Sequence, residues 1–369
     1  MFLNKIKIVQ YKNIKQIEFV PHPAINAFTG LNGMGKTNIL DAIHYLCLTK
    51  SNFGRLEKNN VMRGEDYFRI EGEFHKENKI YNIAAKVKPP RTKIIENNSK
   101  AVDKISDHIG NFPVVIIAPR DKNALLENSR ERRKLIDRVL SQTDKKYLLT
   151  LVEYKKWLKQ RNALLKNTFD GNVDFLLLDT YDKKIAPLAR FIFEKRKEFI
   201  KKLVPEFSTI YKSISGDKEI PDITYHSQLK DKEYLNLVVE NRKKDIILKR
   251  SNSGIHKDDL IFKINNENLR TFASQGQLKS YALAIKLAEF SFLKKEKGFI
   301  PIVILDDVFD KLDKNRVKQL VSLLFENNFG QVFISDTERQ RVEQIFKKSK
   351  VAYKIFEIEK GKIINQYDS

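Results

Sequence analysis

Cysteine is almost missing from this chain: Cys47 is the only one in 369 residues, so no internal disulfide can form. A reducing compartment is the setting that predicts this. The six histidines, His22, His44, His75, His108, His226 and His256, form no ligand-spaced cluster, so no histidine–cysteine metal centre is expected. No apolar run approaches the ~20 residues that a bilayer-spanning helix needs. The opening MFLNKIKIVQ lacks the apolar core of ~7–15 residues and the cleavage site of a secretory leader. A cytoplasmic location, with no membrane partner, is the expectation. Repeats and low-complexity tracts are absent, and no heptad pattern is sustained, which excludes a long coiled-coil arm.

Acidic residues are outnumbered. Asp and Glu total 47 against 69 Lys and Arg, giving a formal charge of +22 and a pI near 9.7. A charge of this size predicts attraction to polyanions. An evenly spread lysine bias would give the same total, so charge alone leans towards nucleic acid without deciding it. With 41% hydrophobic and 31% charged residues, the chain can bury a large core and perhaps two domains.

The most informative stretch is Gly30-Leu31-Asn32-Gly33-Met34-Gly35-Lys36-Thr37, which satisfies G-x-x-x-x-G-K-[ST] at every fixed position. Ala24 to Phe28 before it reads as a strand. Asn38 to Leu48 after it reads as a helix with Leu40, Ile43 and Cys47 on one face. Strand, glycine loop and helix are the context a phosphate-binding loop requires. Its glycines let backbone N–H groups converge on a phosphate, and the helix N-terminus adds partial positive charge. Lys36 can reach the β- and γ-phosphates of ATP, and the Thr37 hydroxyl can ligate Mg²⁺.

Alternation places two short strands around Ile6, Ile8, Ile17 and Phe19, joined at Tyr11-Lys12-Asn13. Residues 50–65 read as a polar loop. Phe68 to Phe74 and Ile80 to Val87 read as a hairpin, and Val114 to Ala118 as a buried strand. From Asp121 to about Leu203 there is one glycine, Gly171, and one proline, Pro187, so this region should be helical. Leu148, Leu151, Val152 and Leu158, with Trp157 beside them, mark its expected apolar face. Arg130, Arg132, Arg133, Lys145, Lys146, Lys155, Lys156 and Lys159 are the candidate DNA-facing set, although a solvated face explains any one of them. A strand at Asp222 to Tyr225, a helix around 231–250, and a strand at Ile261 to Ile264 followed by a turn complete this part.

Ile300 to Leu305 is an apolar strand that ends in Asp306-Asp307, the Walker B pattern. Asp306 is the candidate Mg²⁺ partner. Asp307 is the candidate carboxylate for orienting or deprotonating water, with Lys36 beside it in the catalytic set. Upstream, Ala273-Ser274-Gln275-Gly276-Gln277 opens a helix whose Leu278, Tyr281, Ala282, Ile285, Ala288 and Phe292 form an apolar stripe. Ser274 at this position can be a plain helix cap or part of a second anion site.

The order of P-loop, S-x-G-Q helix and apolar-DD strand resembles the ATP-binding cassettes. That likeness implies that Ser274, Gly276 and Gln277 touch ATP held by the other subunit. Several stretches resemble the RecF family of bacterial recombination mediators, related to SMC-type head ATPases. Tyr11-Lys12-Asn13 is similar to its N-[FY]-R-N. Asn32 to Ile43 is similar to N-G-x-G-K-T-N-[IL]-L-[ED]-A-I, which adds Asn32 and Asn38 to the implied nucleotide site. Arg132 to Asp137 resembles R-R-x-[FL]-[LI]-D. Tyr154 to Lys166, with Gln160-Arg161-Asn162, resembles Y-x-x-x-L-x-Q-R-N-x-L-L-K. His256 to Leu260 resembles H-[RK]-D-D-L, and Asp306-Asp307-Val308 to Leu312-Asp313 also agrees.

The signature departs from L-S-G-G-Q at Ala273 and Gln275. Asp307 stands where cassettes usually carry Glu, one methylene longer, so hydrolysis should be slow. Ser335-Asp336-Thr337 stands where a switch histidine would be.

The expected fold is α/β: an ABC/SMC-type P-loop ATPase head with mixed sheets plus a mostly helical second lobe. The expected division is 1–120 and 300–369 for the head, with 121–299 as the lobe ending in the signature helix. The RecF resemblance implies an ATP-dependent homodimer and a slow, DNA-stimulated ATPase. It also implies binding to single- and double-stranded DNA at gaps, and loading of RecA with RecO and RecR in repair. A P-loop small-molecule kinase, which should lack the S-x-G-Q helix, and an SMC-like structural ATPase, which should carry a long arm, are the competing classes.

Overall fold

The structure is a computed structural model, and it describes residues 1–54, 56–119, 121–127, 129–167, 173–216, 219–308, 329–349 and 351–368. The chain divides into two compact units. One comprises Met1–Asp121 with Glu289–Ser369, and the other Lys122–Ala288.

The first unit holds two six-stranded sheets. An antiparallel sheet contains β1 (Phe2–Tyr11), β2 (Ile14–Phe19), β4 (Phe68–Lys76), β5 (Lys79–Lys88), β6 (Thr92–Asn97) and β7 (Lys100–Ala101), in the order β2-β1-β4-β5-β6-β7. Ile6, Ile8, Ile17 and Phe19 are all buried, as their alternation predicts. The sequence reading did not include β6 and β7. Thr92 to Asn97 is mostly polar and nearly edge-on, so it carries little apolar alternation.

The second sheet contains β3 (Ile25–Thr29), β8 (Val114–Ile117), β12 (Ile302–Leu305), β13 (Val332–Asp336), β14 (Tyr353–Glu359) and β15 (Lys362–Asp368). Its order is β15-β14-β3-β13-β12-β8, parallel throughout except for β15. β3, β8, β12 and β13 are buried along their whole length, as parallel strands covered on both faces are, and β8 and β12 are wholly apolar. The helix Lys36–Leu48 contacts strands of both sheets. It is therefore buried nearly all round rather than along the single face of Leu40, Ile43 and Cys47. Its side chains join the two sheets into one core with Leu3, Phe68, Phe74, Ile304, Phe333 and Phe356.

The other unit is mostly helical. Asp144 caps the helix Lys145–Lys166, its carboxylate accepting the Tyr147 N–H at 2.9 Å. Asp174 caps Phe175–Ser215 through the Leu177 N–H, and Gly216 at φ 81° ends it. This 41-residue helix runs through Pro187 and Pro205, well past the expected stop near Leu203. Both prolines lie on the exposed face, where water can take the carbonyl that each leaves without an amide. A small sheet, β11 (Glu267–Asn268), β10 (Asp259–Ile264) and β9 (Pro221–His226), completes the unit. The expected helix at 231–250 is two short ones, Tyr234–Glu240 and Arg242–Ile247.

The expected apolar face of Lys145–Lys166 is corrected. Val152 is exposed, and the buried positions are Tyr147, Leu151, Tyr154, Arg161 and Leu165. These keep helical spacing, but two tyrosines and an arginine carry it.

Candidate nucleotide-binding site

The site lies at the carboxyl ends of β3, β13 and β12, where open α/β sheets place their ligands. After Thr29 the chain turns through Gly30 at φ 137°, where a Cβ would fall 2.4 Å from the Ile358 carbonyl oxygen. Gly35, at φ 113°, is the N-cap of the helix. Its carbonyl accepts both the Asn38 and Ile39 N–H groups at 3.0 Å. A Cβ there would meet the Asn13 side chain at 3.0 Å. Both glycines are required by conformation and by close approach together.

Lys36 is buried, and its ammonium donates to the Gly30 carbonyl at 2.7 Å and the Leu31 carbonyl at 3.0 Å. Burial pulls its pKa below the ordinary lysine value, while Asp307, Asp336 and Asp306 pull the other way. The Thr37 hydroxyl donates to Asp306 at 2.8 Å, which joins the two motifs from opposite ends of the chain. Asn32 and Gly33 stand exposed at the crest of the loop.

Asn13, which sequence reasoning did not place in the site, braces the loop. Its amide donates to the Gly33 carbonyl at 3.2 Å, and its oxygen accepts from the Asn38 side chain at 2.7 Å. From the other side the β14–β15 turn reaches in, and the Gly361 N–H donates to the Met34 carbonyl at 2.8 Å. Tyr11, Lys12 and Ser51 all donate to one oxygen of the fully buried Asp41, at 2.7, 2.5 and 2.6 Å. Burial pushes the Asp41 carboxyl up, but Lys12 and then His44 overcome it and hold it below the ordinary range. The Tyr11-Lys12-Asn13 stretch quoted for its resemblance is thus the hairpin turn against which the phosphate loop and its helix are built.

Ser274 lies in the other unit. Its N–H donates to the Gln277 side chain at 2.7 Å, and its hydroxyl accepts the Gln277 N–H at 3.2 Å. This is a reciprocal capping box opening the helix Gln275–Lys297, so the plain capping role is present. Gln277 also donates to Glu219 at 2.8 Å, and Ser274 remains exposed. Leu312 and Asp313 lie outside the described residues.

The candidate DNA-facing set is corrected at two positions. Arg132 is buried in a two-point pair with Asp259 at 2.6 and 2.8 Å, and Arg133 donates to the Asp258 carbonyl at 2.5 Å. Both are spent inside the fold. Arg130, Lys145, Lys146, Lys155, Lys156 and Lys159 are exposed.

A glycine loop, a threonine bonded to the first of two carboxylates, and an S-x-G-Q helix define an ABC/SMC-type P-loop ATPase head. A family model described as the RecF/RecN/SMC N terminal domain matches residues 2–363. The DNA replication and repair protein RecF of Flavobacterium johnsoniae is 44% identical over 363 residues, 97% of this chain and 100% of that protein. The chain belongs to the RecF family. RecF of Parabacteroides distasonis is 39% identical over 363 residues, 98% of this chain and 99% of that protein. A solved structure of the recombination mediator protein RecF with ATP, described as part of the RecFOR pathway, matches with a TM-score of 0.89. It is 28% identical, and the match covers 100% of this chain and 97% of that one. The Smc head domain of Pyrococcus furiosus shares the fold, with a TM-score of 0.57 at 16% identity, covering 100% of this chain and 96% of that one. Among the described residues, no helix is long and apolar enough to cross a membrane.

Proposed function

We propose that this chain is an ATP-dependent recombination mediator that hydrolyses ATP slowly and acts on DNA in repair and replication. The observation that carries the ATPase reading is the 2.8 Å bond from Thr37 to Asp306. It brings a hydroxyl and a carboxylate of the types Mg²⁺ requires to one point beside the phosphate loop. Among the described residues no group of three or more His, Cys, Asp or Glu could hold a metal. A site of one carboxylate and one hydroxyl suits Mg²⁺, which takes its other ligands from water and phosphate. When bound, the ion would supply charge neutralisation between the phosphates.

In this reading Gly30, Asn32, Gly33 and Gly35 shape the loop, and Asn38 holds it through Asn13. Lys36 exchanges the carbonyls of Gly30 and Leu31 for phosphate oxygens, acceptors of greater charge. Asp307 orients or deprotonates the attacking water. Ser274, Gly276 and Gln277 complete the nucleotide site of a second subunit in a head-to-tail homodimer. Family membership supports a preference for single-strand gaps, DNA-stimulated turnover, and RecA loading with RecO and RecR, and the +22 charge supports binding to DNA. The related RecF structures, described as part of the RecFOR pathway, support the same reading.

Two variants separate binding from turnover. Lys36→Ala should abolish ATP binding in a nucleotide titration, because it removes the charge facing the phosphates. Asp307→Asn should bind Mg-ATP normally and turn it over slowly. Near wild-type affinity in the first would sink the phosphate-loop assignment. A wild-type rate in the second would remove Asp307 from the reaction.

A further inference from the structure

Asp306 and Asp307 are adjacent, and two neighbouring carboxylates need something to hold them apart and aimed. β12 and β13 run parallel with Leu305 opposite Ile334, so Asp306, the first residue past β12, stands beside Ser335, which is still within β13. Ser335 is fully buried. Its hydroxyl oxygen accepts the Asp307 N–H at 2.8 Å. It lies 2.9 Å from Asp306 Oδ1 and 3.2 Å from Asp307 Oδ1. A hydroxyl has one proton to give, so it serves one carboxylate at a time, and the shorter distance favours Asp306. Asp306 Oδ1 already takes the Thr37 proton. One serine therefore continues the chain Thr37–Asp306 to the backbone of Asp307.

Asp307 sits at φ 47°, the left-handed region that non-glycine residues seldom occupy. Such a conformation persists only where its surroundings impose it. Among the described residues, its N–H is bonded to the Ser335 hydroxyl oxygen. Asp336, next in the chain, is committed elsewhere. It accepts Arg341 at 2.6 and 3.1 Å and the Glu338 N–H at 2.7 Å.

We infer that Ser335 is a positioning residue of the hydrolytic site: it locks Asp307 in its left-handed conformation, aims that carboxylate, and ties it to Asp306. The inference rests on the ATPase reading above. It assigns a role to the segment that lacks a switch histidine.

The test compares wild type, Ser335→Ala and Ser335→Thr. ATP affinity in EDTA should stay within about 2-fold in both variants, because the phosphate loop is untouched. Turnover at saturating Mg-ATP should fall about 10- to 100-fold in the alanine variant with little change in KM, the size of effect that an ångström of misplacement causes. The threonine variant keeps the hydroxyl and should restore turnover. A second readout needs no turnover: the tightening of ATP binding by Mg²⁺ should shrink in the alanine variant and persist in the threonine one. If the alanine variant melts early, Ser335→Cys keeps the volume with a poorer acceptor, and the same fall is expected. Wild-type turnover in the alanine or cysteine variant, or threonine as slow as alanine, overturns the inference alone. A wild-type protein that fails to bind ATP overturns the ATPase reading and this inference with it.

Discussion

Arg161 and Arg196 are fully buried in the helical unit, each between two carboxylates. Arg161 holds Asp182 at 2.6 Å and Asp245 at 2.7 Å, with Ser251 at 2.8 Å. Arg196 holds Asp258 at 2.7 Å and Asp137 at 2.9 Å. The stretches around Asp137, Gln160-Arg161-Asn162 and His256 to Leu260, which resemble family signatures, thus meet as internal clamps. Removing one partner of such a pair leaves a buried charge uncompensated, so these residues read as architecture. His256 belongs to the same set. Its Nε2 donates to the Ser251 carbonyl at 3.1 Å, and its Nδ1 accepts from the Tyr154 hydroxyl at 2.7 Å, which fits the neutral ring. Burial first, then Lys257, Arg133 and Arg161, bring its pKa down to about 4, against the Ser251 carbonyl.

The unfolded imidazole titrates near ~6.5, so between that value and about 4 the unfolded chain binds the extra proton. The stability that His256 contributes is therefore complete above about pH 6.5 and is lost as the pH falls towards 4. Between pH 7 and 5, wild type should lose roughly 1–2 kcal/mol more than His256→Asn in urea unfolding. Equal losses in the two proteins would show that the ring titrates normally when folded.

At the scale of elements, the phosphate loop is held from outside. The β14–β15 turn presents Gly361, at φ 74°, to the loop crest, and its N–H meets the Met34 carbonyl at 2.8 Å. A Cβ there would fall 2.6 Å from the Asn13 carbonyl oxygen. Gly361→Val should force the turn off both Asn13 and Met34 and weaken ATP binding by about 10-fold, or ~1.4 kcal/mol. A nucleotide titration measures this. Unchanged affinity would mean that the loop glycines set its shape unaided.

This brace also marks how far the sequence could be read. Gly30 to Thr37 and Asp306-Asp307 were legible because their chemistry needs fixed residue types at fixed spacing. The apolar strands β8 and β12 were legible because burial on both faces leaves them no polar positions. Asn13, Gly361 and Ser335 were not assigned to the site, since each meets it through contacts with residues 20 or more positions away. Val152 was misplaced because the buried face of its helix is carried by Tyr147, Tyr154 and Arg161. Those side chains look like surface until their partners at Asp137, His256 and Asp182 are known. Arg132 and Arg133 were misread for the same reason.

At the scale of the whole molecule, the Walker motifs lie in one compact unit and Ser274 in the other. The proposed assembly uses both, with each subunit supplying Ser274 to the other's nucleotide. Closure would bring two basic chains onto one DNA, so the salt dependence of DNA binding should steepen by about 0.9 in log–log slope for every added duplex phosphate contact. Linkage then requires that DNA tighten ATP binding by the factor by which ATP tightens DNA binding. A basic monomer attracted to any polyanion would show one slope with and without ATP.

The central claim is that ATP itself drives two copies together through the S-x-G-Q segment, and sedimentation velocity tests it most directly. Wild type, Lys36→Ala and Ser274→Arg are run without nucleotide and with Mg-ATP. The account predicts that wild type shifts from monomer to dimer only with Mg-ATP. Lys36→Ala should stay monomeric because it binds no nucleotide, and Ser274→Arg should stay monomeric while still binding ATP. A wild-type chain that remains monomeric with bound ATP would contradict the account, as would an ATP-induced dimer that Ser274→Arg leaves intact.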